Sequence, residues 1–135
     1  MPKPFGLSKA ERLKSRKQIE TLFEKGKSFT VFPVRVSYSF ELNREKAGAQ
    51  IGVSASKRLF KKAVDRNRIK RLLREAYRLQ KSNLAASLKQ KEIRAIIFFI
   101  YIDKTIATFE TIQAAMHQCL KKLQQKSASI HENPA

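Results

Sequence analysis

A single α+β sandwich built on one main sheet is the fold this sequence predicts, and three patterns predict it. Val34, Val36, Tyr38 and Phe40 alternate with Arg35, Ser37 and Ser39, the period of two that marks a half-buried strand. Residues 95–102, AIIFFIYI, are apolar without alternation, as expected of a strand covered on both faces. Two other stretches, 63–79 and 109–123, carry their apolar residues at helical spacing instead. Helices and strands that each bury one face must pack in layers. A chain of 135 residues is one domain by length, and burying about two-thirds of its unfolded surface is within reach. The folded domain is expected over residues 1–126, and the small, polar, aperiodic residues 127–135 are expected to fray.

The first helix is short. Ser15 followed by Gln18 fits a capping box, and Ser8 with Glu11 fits one as well. Ile19, Leu22 and Phe23 form its apolar stripe, and Gly26 stands where a left-handed C-cap is wanted. Pro33 opens the alternating strand, where a missing N–H does least harm. Residues 42–49, with Asn43 and Gly48, read as a hairpin connection, and 50–55 (QIGVSA) as a returning strand paired antiparallel. In the next helix Ile69, Leu72, Leu73, Ala76 and Tyr77 share one side. Asn67, Lys70, Arg71, Arg74 and Arg78 lie opposite, and Arg66 sits near the edge of the apolar face. Thr105 or Thr108 caps the last helix, where Phe109, Ile112, Met116, Leu120 and Leu123 recur with Cys119 beside them. The order is α-β-β-β-α-β-α if residues 31–40 include a strand break, and α-β-β-α-β-α if they do not.

Charge sets the functional question. The net charge is +18, and residues 57–81 carry eleven Lys and Arg against Asp65 and Glu75, half of that excess. A helix so charged repels itself unless a polyanion lies beside it. Lys57, Arg58, Lys61 and Lys62 precede the helix, and Arg66, Arg68, Lys70, Arg71, Arg74 and Arg78 continue along it. Cations that begin in a loop and run the length of a helix suit a shaped nucleic-acid backbone, the usual mode for structured RNA. A reader of the DNA major groove concentrates its contacts on one recognition helix. A membrane is the rival anion, but the longest apolar run is too short to span one. The N-terminus has no apolar signal segment, so a cytoplasmic location is expected.

A second surface comes from the alternating strand. Arg35, Ser37 and Ser39 share a face, with Phe23 and Phe29 near in sequence. Aromatic rings interleaved with Arg can stack unpaired bases; for Phe23 the other reading is core. No protein-only active site is legible. Asp65 and Glu75 stand ten residues apart, nearly three helical turns, so they cannot share one metal. There is no phosphate-cradling glycine loop and no nucleophile elbow. Cys119 is the one cysteine, and His117 and His131 lie far from a second ligand, so neither a disulfide nor a zinc site is expected.

Residues 51–79, IGVSASKRLFKKAVDRNRIKRLLREAYRL, resemble the signature of the bacterial ribonuclease P protein family. Arg66-Asn67-Arg68 and the following Ile69-Lys70-Arg71-Leu72-Leu73-Arg74-Glu75 carry the resemblance. The lead-in Gly52-Val53-Ser54 and Ser56-Lys57-Arg58, and the N-terminal Leu7, Lys9, Arg12-Leu13, Leu22-Phe23 and Gly26, agree with it. The chain departs from the family pattern at Ile19, where many relatives have a second aromatic, and at Phe60, where many have Gly. It also departs at 101–104, where many have an Ala-Arg or Ala-Lys segment.

The resemblance implies a two-layer α/β sandwich with one mixed four-stranded sheet, order α-β-β-β-α-β-α. It further implies a left-handed β-α-β crossover like that of a ribosomal-protein domain. The partner implied is a catalytic RNA, which cleaves precursor tRNA to release the 5′ leader, with Mg2+ held mainly by the RNA. The protein alone is then inactive and binds neither DNA nor membrane. By match, Lys57, Arg58, Lys61, Lys62, Arg66, Asn67, Arg68, Lys70, Arg71, Arg74 and Arg78 face the RNA. Arg12, Ile19, Phe23, Arg35 and Tyr38 line a cleft for the leader. The alternatives are a structural RNA-binding protein of ribosomal type without that cleft, and a DNA-binding regulator.

Overall fold

The computed structural model describes residues 11–13 and 15–132. Its elements run α1 (Arg16–Lys25), β1 (Lys27–Val31), β2 (Val34–Leu42), β3 (Gly48–Ala55), α2 (Ala63–Gln80), α3 (Ser82–Gln90), β4 (Ile93–Tyr101) and α4 (Phe109–Glu132). The four strands form one mixed sheet in the order β1-β2-β4-β3. β1 and β2 pair antiparallel, as do β2 and β4, while β3 and β4 run parallel. The break in the first strand is thus present, and α3 is a helix the sequence reading did not separate from the segment before β4.

The antiparallel hairpin expected between β2 and β3 does not form: β4 lies between them. β4 is the one strand apolar on both faces, and the centre of the sheet is where both faces and both edges are covered. β3 offers Gly48, Gln50, Gly52 and Ser54 to one face, a small and polar set suited to an edge. The β2–β3 connection passes the start of β4, where the Asn43 N–H donates to the Glu92 carbonyl at 2.8 Å.

Helices cover the sheet on both sides. On one side α2, α3 and α4 bury Ile69, Leu73, Tyr77, Leu84, Leu88, Ile112, Met116 and Leu123 against Val34, Val36, Ile51, Ile97, Phe99 and Tyr101. Tyr101 is buried with its hydroxyl satisfied twice: it donates to the Thr105 carbonyl at 2.6 Å and accepts from the Ala107 N–H at 2.8 Å. That pair closes the turn into α4, which is capped by Thr108 through its Oγ1 to the Thr111 N–H at 3.3 Å. Burial pushes the Cys119 thiol up to about 12, so at neutral pH it is a packing group. α4 continues to Glu132. Ser127, where the tail was expected to start, is buried in that helix and donates to the Gln124 carbonyl.

On the other side α1 sets Ile19 and Leu22 on Ile96, Phe98 and Ile100, with Leu13 completing this smaller core. Ser15 caps α1, its Oγ accepting from the Gln18 N–H at 3.3 Å; such a cap is worth about 1 kcal/mol. The rival cap at Ser8 lies outside the described residues. Gly26 is not left-handed: its φ is −76°. It is required by proximity, because a Cβ there would lie 2.4 Å from the Leu22 carbonyl oxygen. The segment before α1 is tied to the β3 edge by the Leu13 N–H on the Ile51 carbonyl at 2.7 Å. An ion pair at 2.7 Å between Glu11 and the buried Lys81 reinforces that tie.

Candidate nucleic-acid interface

The basic surface is built by α2 and the loop that leads into it. Ile69, Leu73, Ala76 and Tyr77 are buried against the sheet, so the helical period turns Asn67, Arg68, Arg71 and Arg74 to solvent, with Lys70 half-buried. Among the described residues none of Arg68, Lys70, Arg71 and Arg74 lies in an ion pair. Lys57, Arg58, Lys61 and Lys62 are exposed in the loop. Contacts from the backbone, from the sheet and from α2 hold the loop in shape. The Ser56 carbonyl accepts from the Phe60 N–H at 2.9 Å. Phe60 is buried, its ring 6.0 Å from that of Tyr101. Arg66 Nη1 donates to the carbonyls of Phe60 and Lys61 at 2.8 and 2.9 Å. Arg66 therefore splints the loop from the first turn of α2, and Phe60 anchors it where a glycine would not.

Arg78 lies differently from its neighbours. It is half-buried and bonded to Glu75, with Nε 3.3 Å from Oε2, so its charge is partly neutralised within the chain. The remaining cations start at the N-terminal end of α2, where the helix dipole adds positive potential to theirs.

The second surface is the face of the sheet that α1 only partly covers. Register places Arg35 opposite Ile100 and Ser37 opposite Phe98 on β2 and β4, and Gly52 opposite Phe98 on β3. Facing residues in register point the same way, so Phe98 is the centre of this face. Phe23, 50% exposed, stands edge-on to it, ring centroids 5.4 Å apart at 74°. Gly52 is what lets the Phe98 ring lie over β3, since a Cβ there would meet Phe98 Cε2 at 2.6 Å. A cavity of about 280 Å³ opens beside the ring, lined by Arg12, Leu13, Ile19, Ile51, Gly52, Val53, Arg74 and Phe98. Arg74 thus belongs to both surfaces: the basic helix and the aromatic cleft meet at one corner.

Of the residues assigned to the cleft from sequence, Arg12, Ile19 and Phe23 converge on Phe98, and Arg35 shares its sheet face. Tyr38 does not, and that assignment is corrected. Arg35 and Tyr38 stand at odd and even positions of one strand, so their side chains leave opposite faces. Tyr38 is 5% exposed and packs against Phe29 and Phe40 on the α4 side. The residues missed are Phe98 and Gly52. Both sit in strands whose alternation is weak, and their juxtaposition becomes legible only when β3 is paired with β4. Among the described residues no three His, Cys, Asp or Glu side chains converge as metal ligands, and no helix is long and apolar enough to cross a membrane.

A family model described as Ribonuclease P matches residues 7–124. A "Ribonuclease P protein component" from Porphyromonas gingivalis is 43% identical over 122 residues, covering 90% of this chain and 89% of the relative. One from Staphylococcus epidermidis is 34% identical over 115 residues, 85% and 91%. Among solved structures, the ribonuclease P protein of Staphylococcus aureus superposes with a TM-score of 0.65 at 29% identity, over 85% of this chain and 96% of that one. That of Thermotoga maritima gives 0.64 at 26%, over 83% and 96%.

Proposed function

Since the chain belongs to the ribonuclease P protein family, a component of an endoribonuclease complex with an RNA partner, we propose that it assists RNA-based removal of the 5′ leader of precursor tRNA. In this reading α2 and its loop grip the catalytic RNA through phosphate contacts from Lys57, Arg58, Lys61, Lys62, Arg68, Lys70, Arg71 and Arg74. Arg66 holds the loop in the shape those contacts need. The cleft takes the single-stranded leader: half-exposed Phe23, held edge-on by buried Phe98, offers ring surface to a base, while Arg12 and Arg35 meet the backbone. The chemistry is phosphodiester hydrolysis by the RNA and its magnesium ions. The protein supplies no metal cluster among the described residues; its part is to offset phosphate repulsion and hold the substrate beside the RNA. The cytoplasm, where tRNA is processed, is the compartment this reading requires.

The observation that carries the reading is the corner at Arg74, where a solvent-facing basic helix opens onto the cavity beside Phe98. The test is precursor-tRNA cleavage with RNA alone, chain alone and both, at low magnesium. The expected result is a rate gain only when both are present. Cleavage by the chain alone, or no gain on adding it, would count against the reading.

Phe23→Ala distinguishes leader binding from packing. A fully buried Phe→Ala change costs about 3–5 kcal/mol, but Phe23 is half out of the core already, so the melting temperature is expected to stay within a few degrees. One lost base stack, worth about 1–3 kcal/mol, is expected to lower affinity for precursor tRNA by roughly tenfold while leaving mature tRNA unaffected. Equal losses for both substrates would place Phe23 outside the leader path.

A further inference from the structure

The edge of the sheet opposite β3 carries a second cationic, aromatic groove that neither surface above uses. β1 begins at Lys27, opposite Tyr38, so past Tyr38 the edge of β2 has no strand beside it. A cavity of about 450 Å³ opens there, lined by Lys25, Gly26, Lys27, Tyr38, Ser39, Phe40 and Lys126. It shares no residue with the cavity at Phe98. α4 passes above it and brings two ammonium groups to one ring: Lys122 Nζ lies 5.5 Å and Lys126 Nζ 5.8 Å from the centroid of Phe29. Lys126 also lies 5.9 Å from the ring of Tyr38. Exposed Lys25, Lys27 and Lys126 thus line the cavity from three elements, and exposed Lys122 stands beside Lys126 over the Phe29 ring.

Like charges on long flexible side chains spread apart in water. Here the negative face of an aromatic ring holds two of them together. The result is a pair of ammonium groups fixed beside a concave, partly aromatic floor. We propose that this groove is a second site for single-stranded RNA, with Lys27, Lys122 and Lys126 on successive phosphates and Phe29 as the positioning residue for the last two. The proposal rests on the reading that the chain works on RNA. It does not depend on where the leader lies. Charge complementarity selects a polyanion, and half-buried Phe40 at the rim favours one that also carries bases. An acidic peptide is the competing occupant.

The test is a titration of the isotopically labelled full chain with a short oligouridylate, followed residue by residue by NMR. Saturable shifts are expected at 25–29, 38–40 and 122–126 in addition to those on α2. In Lys27→Glu/Lys126→Glu the first set is expected to vanish and the α2 set to remain. Phe29→Leu, which keeps apolar volume but loses the ring face, is expected to weaken binding at this groove about threefold to tenfold. Phe29→Tyr is expected to restore it, with a thermal melt confirming that both variants fold. Shifts confined to α2 and the Phe23 face would overturn the site. Phe29→Leu binding as tightly as the unaltered chain would overturn the positioning role. Equal shifts with an oligoglutamate would overturn the assignment to RNA. Failure of the low-magnesium assay with this titration positive would reject the processing role and leave the groove standing.

Discussion

Replacing Arg68, Arg71 and Arg74 together with alanine is expected to weaken binding to the RNA partner by on the order of a hundredfold at physiological salt, with little change in fold. Each cation that neutralises a phosphate releases about 0.9 of a counterion on a duplex. At ~0.15 M salt this is worth about 1 kcal/mol per contact, or about 3 kcal/mol for three. The log–log salt slope should fall by about 2.7 in the same variant. All three side chains are exposed, and none lies in an ion pair among the described residues. Their removal therefore relieves self-repulsion and breaks no such contact within the chain. Affinity measured over a range of salt concentrations checks both numbers. An unchanged slope would mean the RNA lies elsewhere. Arg78→Ala is the internal control: its guanidinium is bonded to Glu75, so a smaller change in slope is expected.

Phe99→Ala is expected to cost about 3–5 kcal/mol of stability, lowering the melting temperature by roughly 10–20 °C in a domain of this size. Phe99 is fully buried in the central strand, between Val36 and Val53 in register. Its ring centroid lies 5.9 Å from that of Tyr77 on α2. Removing it opens a void where the basic helix docks on the sheet, and helices on both sides limit how far the site can collapse. Chemical denaturation of the variant beside the unaltered chain measures the loss. A cost below ~1 kcal/mol would show that α2 can settle into the void.

Much of this was legible in the chain. α2 was readable to within a residue of its end because its two faces differ so sharply: Ile69, Leu73, Ala76 and Tyr77 against Asn67, Arg71 and Arg74. The caps at Ser15 and Thr108 were each readable as one of two candidates, since a hydroxyl before an apolar stripe suits a cap but does not fix the register. What failed was long-range pairing. Residues 50–55 follow β2 closely, and nearness in sequence argued for a hairpin. The decisive term was instead the burial of β4, which a local pattern cannot weigh. The cleft suffered from the same gap. Phe98 is an unremarked letter in an apolar run until Gly52 is known to lie beside it. Tyr38 was assigned by likeness to a family pattern, although the alternation of its own strand already set it apart from Arg35. Charge marked the helix proposed to meet a polyanion, and register marked which aromatic residues lie beside it.

β4 serves two cores at once: Phe99 and its odd-numbered neighbours pack under α2, α3 and α4, and Phe98 between them is buried under α1 and lines the cavity beside Arg74. Amides in such a strand, paired on both edges, exchange with solvent only when the whole domain opens. The strand that walls the cavity is therefore expected to open only with the rest of the protein. Under the proposed reading, a single strand arriving there would meet a surface that gives up almost no freedom on contact, so the ordering cost of the complex would fall on the nucleic acid. Leaders that are already stacked or stiff should lose least, and discrimination among them becomes a property of their own flexibility.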